Sequence, residues 1–351
     1  MQYPTQGMEL ASPPDDGVTA VNFAKSQKSQ DYLLVSSWDC MVRVYSVGSN
    51  TLRYSYDHGA PALDCCFIEN DTQVVSAGLD KTIQKYALSG EASGSGSAQV
   101  IGTHDEAANC VVYVEEDDLL VSGSWDKTVR AWDHRTSSSS SSSGGGAQAP
   151  KPVHKLPMPG KVFSMDSHGH RLVVAMAQRK IHIYDTRKLD PKHAEIETET
   201  LLKYQTRSVR CFPNGMGYAV ASIEGRVSME YFSQDAEQQQ KKYAFKCHRR
   251  VTDGVEYVYP VNALAFHPIH GTFATGGCDG VVNTWDGENK KRLYQYSRYQ
   301  TSIADLSFNS QGTKLAVAAS YTFEQGEKDH PLDAIFIRDI HENEVKPKPK
   351  K

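Results

Sequence analysis

One pattern recurs seven times along the 351 residues and limits the fold more than any bulk property does. An apolar strand rich in small residues leads into a tight polar turn, then into an alternating strand that carries an aromatic. The clearest copy runs Leu119-Leu120-Val121-Ser122-Gly123-Ser124-Trp125-Asp126, then Thr128-Val129-Arg130-Ala131-Trp132-Asp133. The others begin near Leu33, Val74, Leu172, Tyr218, Phe273 and Leu315 and reach Tyr45, Tyr86, Tyr184, Tyr231, Trp285 and Phe336. The separation of the turn residues Asp80 and Asp126 is close to the ~40–45 residues of a four-stranded blade plus a short insertion. A blade cannot bury both of its faces alone. Blades stacked in a ring bury each face on a neighbour and leave only short, protected edges. The chain therefore reads as all-β, a seven-bladed β-propeller over residues 1–342 in one domain. Gly/Ser-rich surface loops fall at 89–97 and 137–149, and 343–351 reads as a disordered basic tail. The last blade lacks an outer strand in this reading, and the segment Tyr3–Leu10 is expected to supply it. Pro4 is tolerable there because an edge strand can spare an N–H.

Composition fits many aromatic strands joined by many turns, with 18 Tyr, 11 Phe and 26 Gly. At 39% hydrophobic and 23% charged, the chain has the make-up of a soluble globular protein. A net charge of −4 argues against direct nucleic-acid or membrane binding over the whole surface. No apolar run has signal-peptide or transmembrane length. The seven cysteines are scattered, with no Cys-x-x-Cys pair. Cys65 and Cys66 would point to opposite faces of one strand and could not chelate one metal. Reduced, buried thiols in an intracellular protein are expected, and no metal or cofactor. The terminal Lys346-Pro347-Lys348-Pro349-Lys350-Lys351 resembles a short nuclear-import signal and reads equally as a solvated tail.

His104, Ser122, Asp126 and Trp132 stand where proteins of the WD-repeat (WD40) class place a buried hydrogen-bond set, and His58, Ser76, Asp80 and Tyr86 form a weaker copy. A hydrolase reading of these residues fails on two counts. The set repeats blade by blade, and no Gly-x-Ser-x-Gly elbow exists. The chain is expected to bind other proteins and not to be an enzyme.

Turns between second and third strands open on one rim of such a ring, as do the links between blades. Trp38 and Trp125 each precede a turn Asp. Such an indole either packs on a neighbouring loop or stands as a contact for a partner. The fifth repeat has Arg226 at its turn and is flanked by Arg207, Lys246, Arg249 and Arg250. Cations gathered on one sector of an acidic protein suggest a site for carboxylates or a phosphate, where scattered solvated charges are the alternative.

At these residues the sequence resembles the Bub-three family of spindle-assembly-checkpoint WD-repeat proteins. The resemblance rests on Lys203-Tyr204-Gln205-Thr206-Arg207, Ser222-Ile223-Glu224-Gly225-Arg226-Val227 and Tyr243-Ala244-Phe245-Lys246-Cys247-His248-Arg249, with Tyr259-Pro260-Val261-Asn262, and covers roughly Pro13 to Arg338. It implies two ligands on one face. Trp38, Trp125 and Arg207 match positions that hold a GLEBS segment of a checkpoint kinase and of its kinase-lacking relative. Arg226 and Lys246 match positions that grip phosphothreonine in Met-Glu-Leu-Thr (MELT) motifs of the kinetochore scaffold. The resemblance further implies a monomeric propeller in the nucleus and, in mitosis, at the kinetochore. The alternative is the sister messenger-RNA-export propeller, which binds a nucleoporin GLEBS segment.

Overall fold

The computed structural model describes residues 6–26, 29, 31–88, 98–135 and 151–348. The loops expected at 89–97 and 137–149, together with Tyr3, Pro4 and residues 349–351, lie outside the described residues. Seven antiparallel four-stranded sheets follow one another along the chain, with one extra two-stranded hairpin. Their inner strands are Val18–Phe23, Ala62–Ile68, Ala108–Val114, Val162–His168, Thr206–Cys211, Val261–Phe266 and Ile303–Phe308, which number blades one to seven.

Burial explains the composition of the second strands. Leu33, Leu34 and Val35, like Val173, Val174 and Ala175, are fully buried, because a neighbouring blade covers each face of the sheet. Seven apolar clusters result, and each bridges two adjacent blades. Val121 of blade three meets Val174 of blade four, for example, and Val209 of blade five lies with Ile183 of blade four. The other clusters join blades seven and one, six and seven, one and two, two and three, and five and six. Among the described residues no blade owns a core by itself.

The inner strands are also stitched side chain to backbone. Val21 N–H donates to Asp305 Oδ2 of blade seven at 2.9 Å, and Val111 N–H donates to Asp64 Oδ2 of blade two at 2.9 Å. Asn109 Nδ2 reaches Phe163 O of blade four at 2.8 Å, and Asn22 Nδ2 reaches Cys65 O of blade two at 2.9 Å. Every inner strand skips one residue in its pairing near the start, a β-bulge: Thr19, Leu63, Asn109, Phe163, Arg207, Asn262 and Ala304 are the unpaired residues.

The ring closes as the sequence suggests. Met8–Glu9 pairs antiparallel with the third strand of blade seven, Met8 opposite Ile337 and Glu9 opposite Phe336, and Leu10 N–H donates to Ile335 O at 2.9 Å. Leu10 is buried in the cluster that joins blades seven and one. The boundary expected at 342 is corrected. Glu342–Val345 forms a short helix whose Glu344 and Val345 are buried, so order runs past that point. The reason is a set of partners: Glu344 pairs with Arg338 at 3.3 Å, and Thr284 and Thr272 donate to the Glu344 and Val345 carbonyls.

The blade hydrogen-bond set is present in blade three. Trp132 Nε1 donates to Ser122 Oγ at 2.7 Å, Ser122 Oγ is 2.7 Å from His104 Nε2, and His104 Nδ1 is 3.0 Å from Asp126. Burial pushes the His104 imidazole down to about 4. Burial also works against ionised Asp126, but hydrogen bonds from Thr128, the Asp105 backbone and His104 outweigh it and hold the carboxyl at about 2. The blade-two copy differs in one member: Tyr56, not Tyr86, donates its hydroxyl to Ser76 at 2.7 Å, and Tyr86 stacks on Tyr56 at 4.8 Å. A third set was not read from the sequence. His248 joins Thr275 (2.7 Å) and Asp279 (2.8 Å), and Trp285 Nε1 donates to Thr275 at 2.9 Å. Thr275, Asp279 and Trp285 repeat the spacing of Ser122, Asp126 and Trp132, a signal hidden by the Thr-for-Ser exchange. All seven cysteines are free thiols, and burial pushes Cys65, Cys110 and Cys211 up. Among the described residues no helix is long and apolar enough to cross a membrane.

Candidate functional site

One backbone hydrogen bond, repeated in every blade, defines the face on which the candidate residues lie. The turn after each second strand donates to the residue just before the same blade's inner strand: Trp38 to Gly17, Leu79 to Pro61, Trp125 to Ala107, Ala177 to Lys161, Ile223 to Gln205, Cys278 to Pro260 and Ser320 to Ser302. Turns and blade links thus form a single rim. All five candidate residues belong to it: Trp38 and Trp125 in the turns of blades one and three, Arg207 at the start of the blade-five inner strand, and Arg226 and Lys246 at the rim ends of two blade-five strands.

Trp38 is 44% exposed, with one edge of its ring beside Gly17. Its turn is stiff. Asp39 accepts from Ser37, from the Met41 and Asp15 N–H groups, and from Arg43, which pairs with it at 2.7 Å. Burial works against the Asp39 charge, yet these bonds win and lower its pKa. Trp125 is half-buried, with the Lys161 ammonium 5.7 Å from its ring centroid. Trp125, Lys161, Phe163 and Arg207 line one open cleft of about 320 Å³. The structure therefore brings Trp125 and Arg207 together, across blades three to five. Trp38 belongs to blade one on the same rim.

Arg226 and Lys246 are directly opposed partners on adjacent strands. Like charges placed opposite one another repel, and local carboxylates moderate the strain: Arg226 Nε is 3.7 Å from Glu224, and Lys246 Nζ is 3.9 Å from Glu256. Arg249, grouped with these cations in the sequence, does a different job. Its guanidinium donates to the Glu224 carbonyl at 2.8 Å and pairs with Glu256 at 3.1 Å, which braces the blade-five turn. Arg250 is exposed on the hairpin Arg249–Thr252/Val255–Val258, outside the blades. Sequence reasoning missed this hairpin, although Asp253-Gly254, both at positive φ, is a strong two-residue turn signal. It also missed Phe163, Glu224 and Glu256. Nothing in single-sequence periodicity marks a carboxylate as the partner of a rim cation.

Comparison with known proteins gives the arrangement a lineage. The family model described as "WD domain, G-beta repeat" matches residues 96–133 and 240–286. The chain is 50% identical to the mitotic checkpoint protein BUB3.1 of Arabidopsis thaliana, over 99% of this chain and 96% of that one. It belongs to the Bub3 family of mitotic checkpoint proteins. It is also 43% identical to the mitotic checkpoint protein bub3 of Dictyostelium discoideum (97% of this chain, 96% of that one). The mRNA export factor GLE2 of Chaetomium thermophilum is more distant, at 35% over 97% of this chain and 92% of that one. Bub3 proteins are non-catalytic WD-repeat scaffolds. The His104–Ser122–Asp126 set accordingly serves the blade and not a reaction.

Proposed function

We propose that this Bub3-family chain acts in the mitotic checkpoint as an adaptor with two peptide sites on one rim. Trp38, Trp125 and Arg207 bind a GLEBS segment of a checkpoint kinase and of its kinase-lacking relative. Arg226 and Lys246 bind phosphorylated MELT motifs of the kinetochore scaffold, which brings the kinases to unattached kinetochores in the mitotic cell. The observation that supports this reading most is the cross-strand pair itself, two cations held in register on an otherwise acidic protein.

The physical argument is relief of repulsion. A phosphothreonine carries about −1.5 to −2 charges and several acceptor oxygens. Placed between Arg226 and Lys246 it would satisfy both at once. Each charge-assisted bond is worth ~1.5–3 kcal/mol at best, and less on a wet rim. Binding is therefore modest, reversible and dependent on the phosphate.

Calorimetry with a phospho-MELT peptide and a GLEBS peptide tests both assignments. Arg226→Glu abolishes phosphopeptide binding and leaves the GLEBS peptide near wild type; equal losses of both would refute the division of labour. Arg207→Ala weakens the GLEBS peptide first, and an unchanged affinity would remove Arg207 from the site. A nucleoporin GLEBS segment in the same titrations addresses the export reading, which predicts tight binding of that segment and none of the phosphopeptide.

A further inference from the structure

We infer that Asn262 is a positioning residue for Arg207: it fixes the guanidinium so that the two terminal nitrogens face a ligand carboxylate end-on. The inference rests on the reading of Arg207 as the residue that meets acidic side chains of the GLEBS segment.

Arg207 and Asn262 are the bulge residues of neighbouring inner strands, in blades five and six. Neither is paired across its sheet at that point, and the two side chains meet: Arg207 Nε donates to Asn262 Oδ1 at 3.1 Å. Asn262 is itself immobilised. It is 8% exposed, and its Nδ2 donates to Ile303 O at 3.0 Å, with Cys278 Sγ at 3.2 Å and Thr322 Oγ1 at 3.3 Å. A carbonyl oxygen only accepts, so Ile303 fixes which end of the amide is nitrogen and leaves Oδ1 towards Arg207. Ile303 opens the inner strand of blade seven, and Thr322 lies in the long turn of that blade. Side chains from two further blades thus aim one arginine of blade five.

Arg207 is exposed and makes no other hydrogen bond among the described residues. An unheld arginine at such a position spreads over many rotamers, and a ligand must order it on binding. With Nε–H occupied, the remaining donors are Nη1 and Nη2, the fork that matches a carboxylate bidentately. The amide explains the residue type. Asn262 accepts from Arg207 without neutralising it, whereas a carboxylate there would hold the guanidinium equally well and compete with the ligand's own charge.

The test uses the whole chain, ¹⁵N-labelled, with the Arg207 Nε–Hε resonance assigned by its loss in Arg207→Lys. In wild type that resonance is sharp and shifted by its hydrogen bond. In Asn262→Ala it moves to the exchange-broadened position of free arginines, and GLEBS-peptide affinity falls roughly 2- to 10-fold. In Asn262→Asp the resonance stays in its bonded position, yet affinity falls further than in the alanine variant. Phosphopeptide binding stays at its wild-type value and the melt stays cooperative in both, with a lowered midpoint because Ile303 O loses its donor, and these report an intact ring. Asn262→Ser, too short to reach Nε, takes the place of the alanine variant if that one does not fold. An unmoved Arg207 resonance in the shortened variant, or wild-type GLEBS affinity in Asn262→Asp, overturns the inference. If Arg207→Ala leaves GLEBS binding untouched, the assignment of the ligand fails, while the resonance still decides whether Asn262 positions the arginine.

Discussion

Ser122 Oγ is placed between two buried ring nitrogens, Trp132 Nε1 and His104 Nε2. If His104 carries its proton on Nδ1, facing Asp126, its Nε2 accepts the serine hydroxyl while Trp132 donates to the same oxygen. Ser122→Ala strands two buried polar groups and is expected to destabilise the fold by about 2–4 kcal/mol in denaturant melts. A second prediction concerns pH. Native His104 titrates near 4 instead of 6.5, so between those values the native state holds fewer protons and loses stability as pH falls. Asp64, half-buried in the inner strand of blade two, is pushed up to about 7 from 3.8 by desolvation, so its contribution has the opposite sign: the native state holds more protons and gains stability as pH falls from 7 towards 4. Asp64→Asn deletes the second contribution. Relative to wild type, the variant should lose stability on acidification over that range, and parallel curves would show that folded Asp64 is already ionised.

At the level of strands and turns, the repeat made most of the architecture readable. Alternation located the second and third strands, and the missing outer strand of blade seven pointed to the N-terminal segment. The helix at Glu342–Val345 escaped because four residues amid lysines and prolines carry no periodicity. Its stability comes from Arg338, Thr272 and Thr284, distant in sequence. The candidate residues were legible as types, an indole at a turn or a cation at a strand end, but their groupings were not. The Trp125–Arg207 cleft depends on how neighbouring blades meet, and the Arg226–Lys246 pair on a register that no local pattern states. The closing strand gives a test of its own. Gly7 has φ +102, and a Cβ there would lie 2.6 Å from the Ile337 carbonyl oxygen. Gly7→Ala should therefore loosen the closing strand by at least ~1 kcal/mol, read as faster hydrogen exchange at Leu10 while blades two to four keep their protection.

On the scale of the whole ring, the sites divide by distance. Trp38, Trp125 and Arg207 belong to blades one, three and five, so a segment that touches all three must run across the rim face. Trp38→Ala or Trp125→Ala alone should weaken a full-length GLEBS peptide by about 2 kcal/mol or more and leave a peptide trimmed to the Arg207 end unaffected by Trp38→Ala, which titration against both peptides would check. The seal of the ring also bears on how the molecule is made. Gln6 Nε2 donates to Arg298 O, a partner 292 residues further along, at 2.7 Å, and the Tyr299 hydroxyl donates back to Gln6 O at 3.0 Å. A ribosome releases the first strand long before its mate exists. Until translation reaches the seventh sheet, six blades must wait with an unsealed flank at each end, which makes this interval the one in which a chaperone or a premature stop codon decides the fate of the molecule.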